Sequence, residues 1–243
     1  MLVTRPASES DALGLGLREL GAEVVSHPLI EFAAPGDLAR IQETSKRLAE
    51  FSVLVFLSRR AVLAASDLLI KDVGSLPPIA AIGPGTRDCL QSCGFEVDFV
   101  PQEFNSESMA DLLIKQHRST GFSKPILISR GDRGSDVLPT ALRHAGIAFE
   151  ELIIYHSRDV AEADPDILAE LSKGKFDWVT ISSSSIAANA AKLFGERLSN
   201  TKIASISPTT SQTAIECGLS ITAEATRYDV GGLVEAILNH HQR

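Results

Sequence analysis

Short apolar runs alternate along this chain with stretches whose apolar positions fall three and four residues apart. The runs predict strands over 2–4, 53–57, 79–82, 126–129, 178–181 and 203–206, with weaker ones at 23–25, 97–100 and 219–222. Most are apolar on consecutive residues, as a strand covered on both faces requires. The spaced stretches predict helices over 9–20, 38–48, 59–70, 85–93 and 106–116 in the first half. They predict helices over 136–145, 166–171, 185–194, 209–216 and 230–239 in the second. Two further segments, 27–32 and 152–157, are rich in β-formers and read as extended connectors. Strands alternating with helices predict an α/β fold built on parallel sheets flanked by helices.

The pattern occurs twice. A shift of 125 carries Thr4-Arg5 onto Ser129-Arg130, Ser10-Asp11 onto Ser135-Asp136, Leu13 onto Leu138, Gly21 onto Gly146 and Ser58 onto Ser183. A shift of 124 carries Ile82 onto Ile206, Pro84 onto Pro208, Thr86 onto Thr210 and Gly94 onto Gly218. A period this long has the size of a domain, so two similar lobes are expected, and a cleft between lobes suits a small-molecule site. The connectors are repeat mates as well, with Leu29-Ile30 matching Ile154-Tyr155, and can pair as a two-stranded ladder joining the lobes.

Composition narrows the function. The 243 residues suffice for two cores, and 44% apolar with 22% charged residues is ordinary for a globular protein. A formal charge of −8 argues against nucleic acid or an anionic membrane as partner. No apolar run approaches a membrane span and no signal peptide precedes Arg5, so a cytoplasmic location is expected. Of the three cysteines, Cys93 and Cys217 are repeat mates ahead of helix-stopping glycines, and Cys89 shares a helix face with Cys93. Neither they nor the six scattered histidines complete a metal site, so no metal is expected.

Four turns follow strand ends and open helices: Leu57-Ser58-Arg59-Arg60, Gly83-Pro84-Gly85-Thr86, Ser182-Ser183-Ser184-Ser185 and Ser207-Pro208-Thr209-Thr210. Free N–H groups at such helix starts receive carboxylate or phosphate, although Ser and Thr there also serve as plain N-caps. Arg5 and Arg130 end repeat-mate strands, where a guanidinium either grips a carboxylate ligand or forms a structural ion pair. Arg130-Gly131-Asp132 spells a cell-adhesion tripeptide, a coincidence in a chain with no secretion signal. Neither a dinucleotide fingerprint nor a P-loop is present. Tyr155, one of two tyrosines, lies on the second connector, where its phenol serves either as a hydrogen-bond donor to a ligand or as an interface residue.

Taken in order and spacing, these stretches resemble the uroporphyrinogen-III synthase family over essentially the whole chain. The resemblance rests on Val3-Thr4-Arg5-Pro6, Val55–Val62, Ala81–Thr86, Ile128–Asp132, the Tyr155 segment, Ile206–Thr210 and the terminal Gly232–Ile237 helix. It implies one discontinuous lobe of residues 1–30 and 158–243, a second lobe of 36–150, and connecting segments at 27–35 and 150–158. It further implies a cofactor-independent lyase of haem-type tetrapyrrole biosynthesis. Such an enzyme closes hydroxymethylbilane into uroporphyrinogen III with inversion of ring D and loss of water.

On that resemblance Tyr155 assists departure of the ring-A hydroxyl, while Arg5, Ser58, Thr86, Arg130, Ser183, Thr209 and Thr210 bind the substrate. A monomer is implied, receiving its substrate by transient hand-over from the enzyme that makes it. Leu57 and Ser207 depart from the threonine and glycine common in the family at those places. A non-enzymatic two-lobed binding protein for a small polyanion shares the lobes and turns, and a nucleotide-sugar transferase shares the lobes alone.

Overall fold

The computed structural model describes residues 1–6, 12–70 and 76–241. Ser10, Asp11 and the expected helix start at Glu9 lie outside the described residues. In chain order the first copy contributes β1 (Leu2–Val3), α1 (Ala12–Glu19), β2 (Val25–Ser26), β3 (Ile30–Ala33) and α2 (Leu38–Lys46). It continues with β4 (Val53–Phe56), α3 (Arg59–Leu68), β5 (Ile79–Ala81), α4 (Pro84–Ser92) and α5 (Ser106–Thr120). The second copy opens with β6 (Ile126–Gly131), α6 (Val137–His144), β7 (Phe149–Asp159) and α7 (Pro165–Ser172). Then come β8 (Trp178–Ile181), α8 (Ser184–Phe194), β9 (Lys202–Ser205), α9 (Pro208–Glu216), β10 (Ala223–Glu224) and α10 (Val230–His241).

The repeat is structural as well as sequential. Adding 125 carries α1 onto α6 and β4 onto β8 without remainder, and adding 124 carries α4 onto α9. Each of the last two helices ends at a cysteine followed by a glycine at φ +85°, Gly94 or Gly218. Only glycine adopts that left-handed stop without strain, so the cysteines mark matched helix ends.

The chain divides into one unit of residues 1–32 and 158–243 and another of 33–157. The strands of the first form a sheet ordered β10-β9-β8-β1-β2. The other sheet is ordered β3-β7-β6-β4-β5, its β7-β6-β4-β5 part lying in the second unit up to Ser157 and β3 falling at the division. The pairings β1–β8, β8–β9, β4–β5 and β4–β6 are parallel, with Leu2↔Val179, Trp178↔Lys202, Leu54↔Ile79 and Leu54↔Leu127 in register. The first copy thus lends β1 and β2 to the sheet of β8, β9 and β10. The second copy lends β6 and β7 to the sheet of β4 and β5.

Alternate residues of each strand enter separate cores, which is why the runs are apolar throughout. In the second sheet Leu54 and Phe56 face one core, while Val53 and Val55 face the other. In the first, Leu2, Val179 and Ile181 face one core, and Val3 and Trp178 the other. Burial at this density, with Leu54, Phe56, Leu2 and Trp178 at 0% exposure, contributes about 1.5–3 kcal/mol per large side chain.

Some expected elements differ. The strand expected at 97–100 is reduced to one bridge, Ala80↔Phe99. There the Asp98 carboxylate accepts the Ile79 N–H at 2.8 Å, and Pro101 cannot continue a ladder. The strand expected at 219–222 forms at Ala223–Glu224 instead. The two connectors do pair as strands, β3 beside β7, as expected; the difference is that β7 runs for 11 residues and also joins β6 in a five-stranded sheet.

Candidate functional site

In an open parallel sheet, ligands bind at the carboxyl ends of strands where the chain leaves in opposite directions. The second sheet has that point between β4 and β6, since β4 leads outward to β5 and β6 leads the other way to β7. The first sheet has it between β8 and β1. Ser58 follows β4 and Ser183 follows β8. Gly131-Asp132 ends β6, and Thr4-Arg5 follows β1.

At the second sheet's switch point, Ser58 caps α3 by accepting the Ala61 N–H at 3.0 Å. Its Oγ also lies 3.3 Å from the Tyr155 hydroxyl. Tyr155 is half-buried and packs on the core that holds Leu152 and Ile154. It reaches that side through a bulge: β6 pairs Arg130↔Ile153 and then Gly131↔Tyr155, passing over Ile154. A one-residue slip of this kind turns a side chain to the other face. The ring then rests on Gly131, where an added Cβ would lie 2.5 Å from the tyrosine Cζ.

The start of α4 is built differently. Gly83 caps it with no side chain, Pro84 occupies the first turn, and Thr86 is buried with its N–H on the Gly83 carbonyl at 3.1 Å. Phe104 stands beside this turn, 60% exposed, its Cβ only 3.0 Å from where a Gly83 Cβ would be.

In the first unit, Ser183 and Ser207 adopt the same extended geometry as Ser58 and cap α8 and α9. Ser183 accepts the Ile186 N–H at 3.2 Å. Ser207 accepts the Thr210 N–H at 3.4 Å, with the Thr210 hydroxyl 3.0 Å away. Thr210 is buried, whereas Thr209 is exposed. The hydroxyls of Ser184 and Thr213, 3.0 Å apart, link the starts of α8 and α9, and Thr213 also donates to the Thr209 carbonyl at 3.1 Å. Arg5 is half-buried at the end of β1.

Arg130 takes the structural one of its two expected roles. It is 4% exposed and donates to Glu151 at 2.8 Å, to Asp136 at 3.1 Å and to the Gly134 carbonyl. Its guanidinium is therefore not an exposed grip for a ligand.

Sequence reasoning missed three features here. Asp132, which entered the sequence reading only as the last residue of the Ile128–Asp132 stretch and its tripeptide, accepts the Ser157 N–H at 2.8 Å and lies 3.0 Å from His156 Nδ1. Burial works against its charge, but Ser157, His156 and Arg133 outweigh that and hold it below the usual carboxylate range. Phe104 gave no signal beyond an aromatic residue in a loop. Asn189 did: it is a polar residue in an alanine-rich helix, and its amide donates to the Leu29 and Val160 carbonyls at 2.8 and 3.0 Å.

A model of the family described as Uroporphyrinogen-III synthase HemD matches residues 11–235. The uroporphyrinogen-III synthase of Synechococcus elongatus is 29% identical over 250 residues, covering 98% of this chain and 93% of that one. The uroporphyrinogen-III synthase of Salmonella typhimurium is 34% identical over 158 residues, covering 62% of this chain and 63% of its own. Among solved structures, uroporphyrinogen-III synthetase from Helicobacter pylori aligns with a TM-score of 0.66 at 20% identity, over 98% of both chains. A mutant uroporphyrinogen III synthase from Thermus thermophilus aligns with a TM-score of 0.63 at 15% identity, over 99% of this chain and 98% of that one. These two likenesses show the fold. With the family match running over 11–235, they lead to one conclusion: this chain belongs to the uroporphyrinogen-III synthase family.

Proposed function

We propose that this chain is a lyase of tetrapyrrole biosynthesis that closes hydroxymethylbilane into uroporphyrinogen III, with loss of water and reversal of ring D. One observation carries the reading at the level of residues. Tyr155 and Ser58 bring their hydroxyls to 3.3 Å at a sheet's switch point, in a chain that matches the family over 11–235. The binding-protein alternative has no support among the relatives.

The chemistry asks little of the protein in acid or base. The ring-A hydroxymethyl C–O bond breaks with push from the pyrrole nitrogen, which gives up its N–H proton, so that hydroxide and proton together leave as water. Tyr155 assists by donating a hydrogen bond to that oxygen, and Ser58 fixes the direction of the phenol. Ring D then attacks through its substituted α-carbon, and the spiro intermediate fragments and recloses with the ring reversed. The protein's larger task is to hold ring D so that this route beats end-to-end closure.

Each residue has a place in that task. Within the second unit the backbone N–H groups at the starts of α3 and α4, and within the first those at the starts of α8 and α9 with Arg5, are of the kind that receives carboxylates. Ser183 and Thr209 lie where hydroxyls can join them, while the buried Thr86 and Thr210 keep the turns in shape. Phe104 offers a flat apolar surface to a pyrrole. Arg130 stabilises the β6 end instead of touching substrate. Because free hydroxymethylbilane closes to isomer I unaided, hand-over from the enzyme that makes it protects the flux, and a monomer suffices. Conversion of hydroxymethylbilane to isomer III in excess of the spontaneous product tests the reading.

A further inference from the structure

The two residues after Arg130 hold Tyr155 from two sides. The Asp132 N–H donates to the Tyr155 carbonyl at 3.3 Å. Its carboxylate accepts the Ser157 N–H at 2.8 Å and meets His156 Nδ1 at 3.0 Å. Asp132 therefore ties down residue 155 and the two residues after it. On the other side the phenol ring lies on Gly131, where an added Cβ would fall 2.5 Å from Cζ and 2.7 Å from the hydroxyl oxygen. Gly131 has no positive φ, so glycine is required there for space and not for backbone freedom.

These contacts exceed what strand pairing needs. The ladder to β6 shifts register between Arg130 and Gly131 and ends at Gly131↔Tyr155, so no β6 strand bond holds the residues after Tyr155 on that side. A side-chain carboxylate takes over there, and a missing side chain leaves the bed for the ring. We propose that Gly131 and Asp132 form a positioning element for Tyr155, setting where its hydroxyl stands relative to Ser58 and to the bound substrate. This rests on the reading that Tyr155 acts on substrate, but its geometric half stands without it.

The geometric half is tested first, without activity. The chain has two tyrosines, and Tyr228 is 65% exposed, so Tyr228→Phe leaves Tyr155 as the single ring signal of a carbon-13-tyrosine NMR sample. Asp132→Ala should move and broaden that signal, and Gly131→Ala should move it. Asp132→Asn, which keeps an acceptor for Ser157, should leave it close to wild type. An unmoved signal in both alanine variants would overturn the proposal. If Asp132→Ala does not fold, the Gly131→Ala and Asp132→Asn results decide in the same way.

Kinetics then test the link to turnover. Asp132→Ala should lower kcat about tenfold while KM stays within about twofold. Introduced into Tyr155→Phe, the same change should add less than about twofold, because its target hydroxyl is gone. Equal losses in the two backgrounds would mean Asp132 acts elsewhere and would overturn the proposal. A wild-type protein making no excess isomer III would sink the functional reading, and the NMR result would still decide the positioning one.

Discussion

The Tyr155 hydroxyl and the Ser58 Oγ lie 3.3 Å apart, although the residues belong to different repeat copies and are 97 positions apart in sequence. They meet because the second sheet places β6 between β4 and β7, and because the bulge at Ile154 turns Tyr155 toward the end of β4. Swapping of strands between copies thus assembles the pair that neither copy holds alone.

Tyr155→Phe removes the hydroxyl and keeps the ring on Gly131. A positioned proton donor contributes about 10²–10⁴-fold, and the low end is expected because pyrrole nitrogen already expels the leaving group. The isomer III product should persist, since ring reversal depends on how the whole tetrapyrrole is held. Rate and isomer ratio beside wild type, with circular dichroism for folding, provide the check. A switch to isomer I would assign Tyr155 to holding ring D.

The capping serines should separate from the exposed polar groups by what they damage. Ser183→Ala and Ser207→Ala each remove an N-cap bond and should cost about 0.5–2 kcal/mol of stability, read by denaturant melts. Changing each to Asp should restore most of it. Thr209→Ala, exposed and outside any cap bond of its own side chain, should leave the melt unchanged and raise KM modestly.

Arg130→Met should destabilise by about 1–3 kcal/mol, because Glu151 and the Gly134 carbonyl lose a buried donor. Arg130→Lys should restore little, since one ammonium cannot reproduce the fork that reaches Glu151, Asp136 and Gly134 together. The folded fraction of either variant should keep wild-type KM within about twofold. A large KM rise with an unchanged melt would return Arg130 to substrate binding.

Acid should weaken the first unit through His27. Its Nε2 is buried with no hydrogen-bond partner among the described residues, and burial lowers its pKa from 6.5 against a smaller opposing pull from Asp164. With the folded pKa below the unfolded one, the unfolded chain binds the proton first as pH falls, so stability is full above about 6.5 and declines below it. Denaturant midpoints at pH 7.5 and 5.5 should show this loss in wild type and a smaller one in His27→Gln. Equal losses in the two proteins would place the acid sensitivity elsewhere.

What the sequence made legible was local. Helix starts at Ser58, Gly83, Ser183 and Ser207 carry their own capping and proline signals, so their places emerged from single turns. The matched glycine stops at Gly94 and Gly218 are local in the same sense. Register is not. That Arg130 meets Glu151 depends on how β6 and β7 align, and nothing near either residue reports it. The bulge at Ile154 is likewise a property of two strands together, so the sequence singled out Tyr155 without its contact to Ser58, and Asp132 without its contacts to residues 155–157. The pairing of the two connectors was legible, but the full span of β7 from Phe149 to Asp159 was not, because it depends on β6 lying along its other edge.

The most direct test of the central claim is the isomer composition formed from freshly prepared hydroxymethylbilane, measured after oxidation by chromatographic separation of isomers I and III. With the protein present, isomer III should dominate, and isomer I should dominate in the protein-free control. A composition indistinguishable from that control, with protein shown to be folded, would contradict the account.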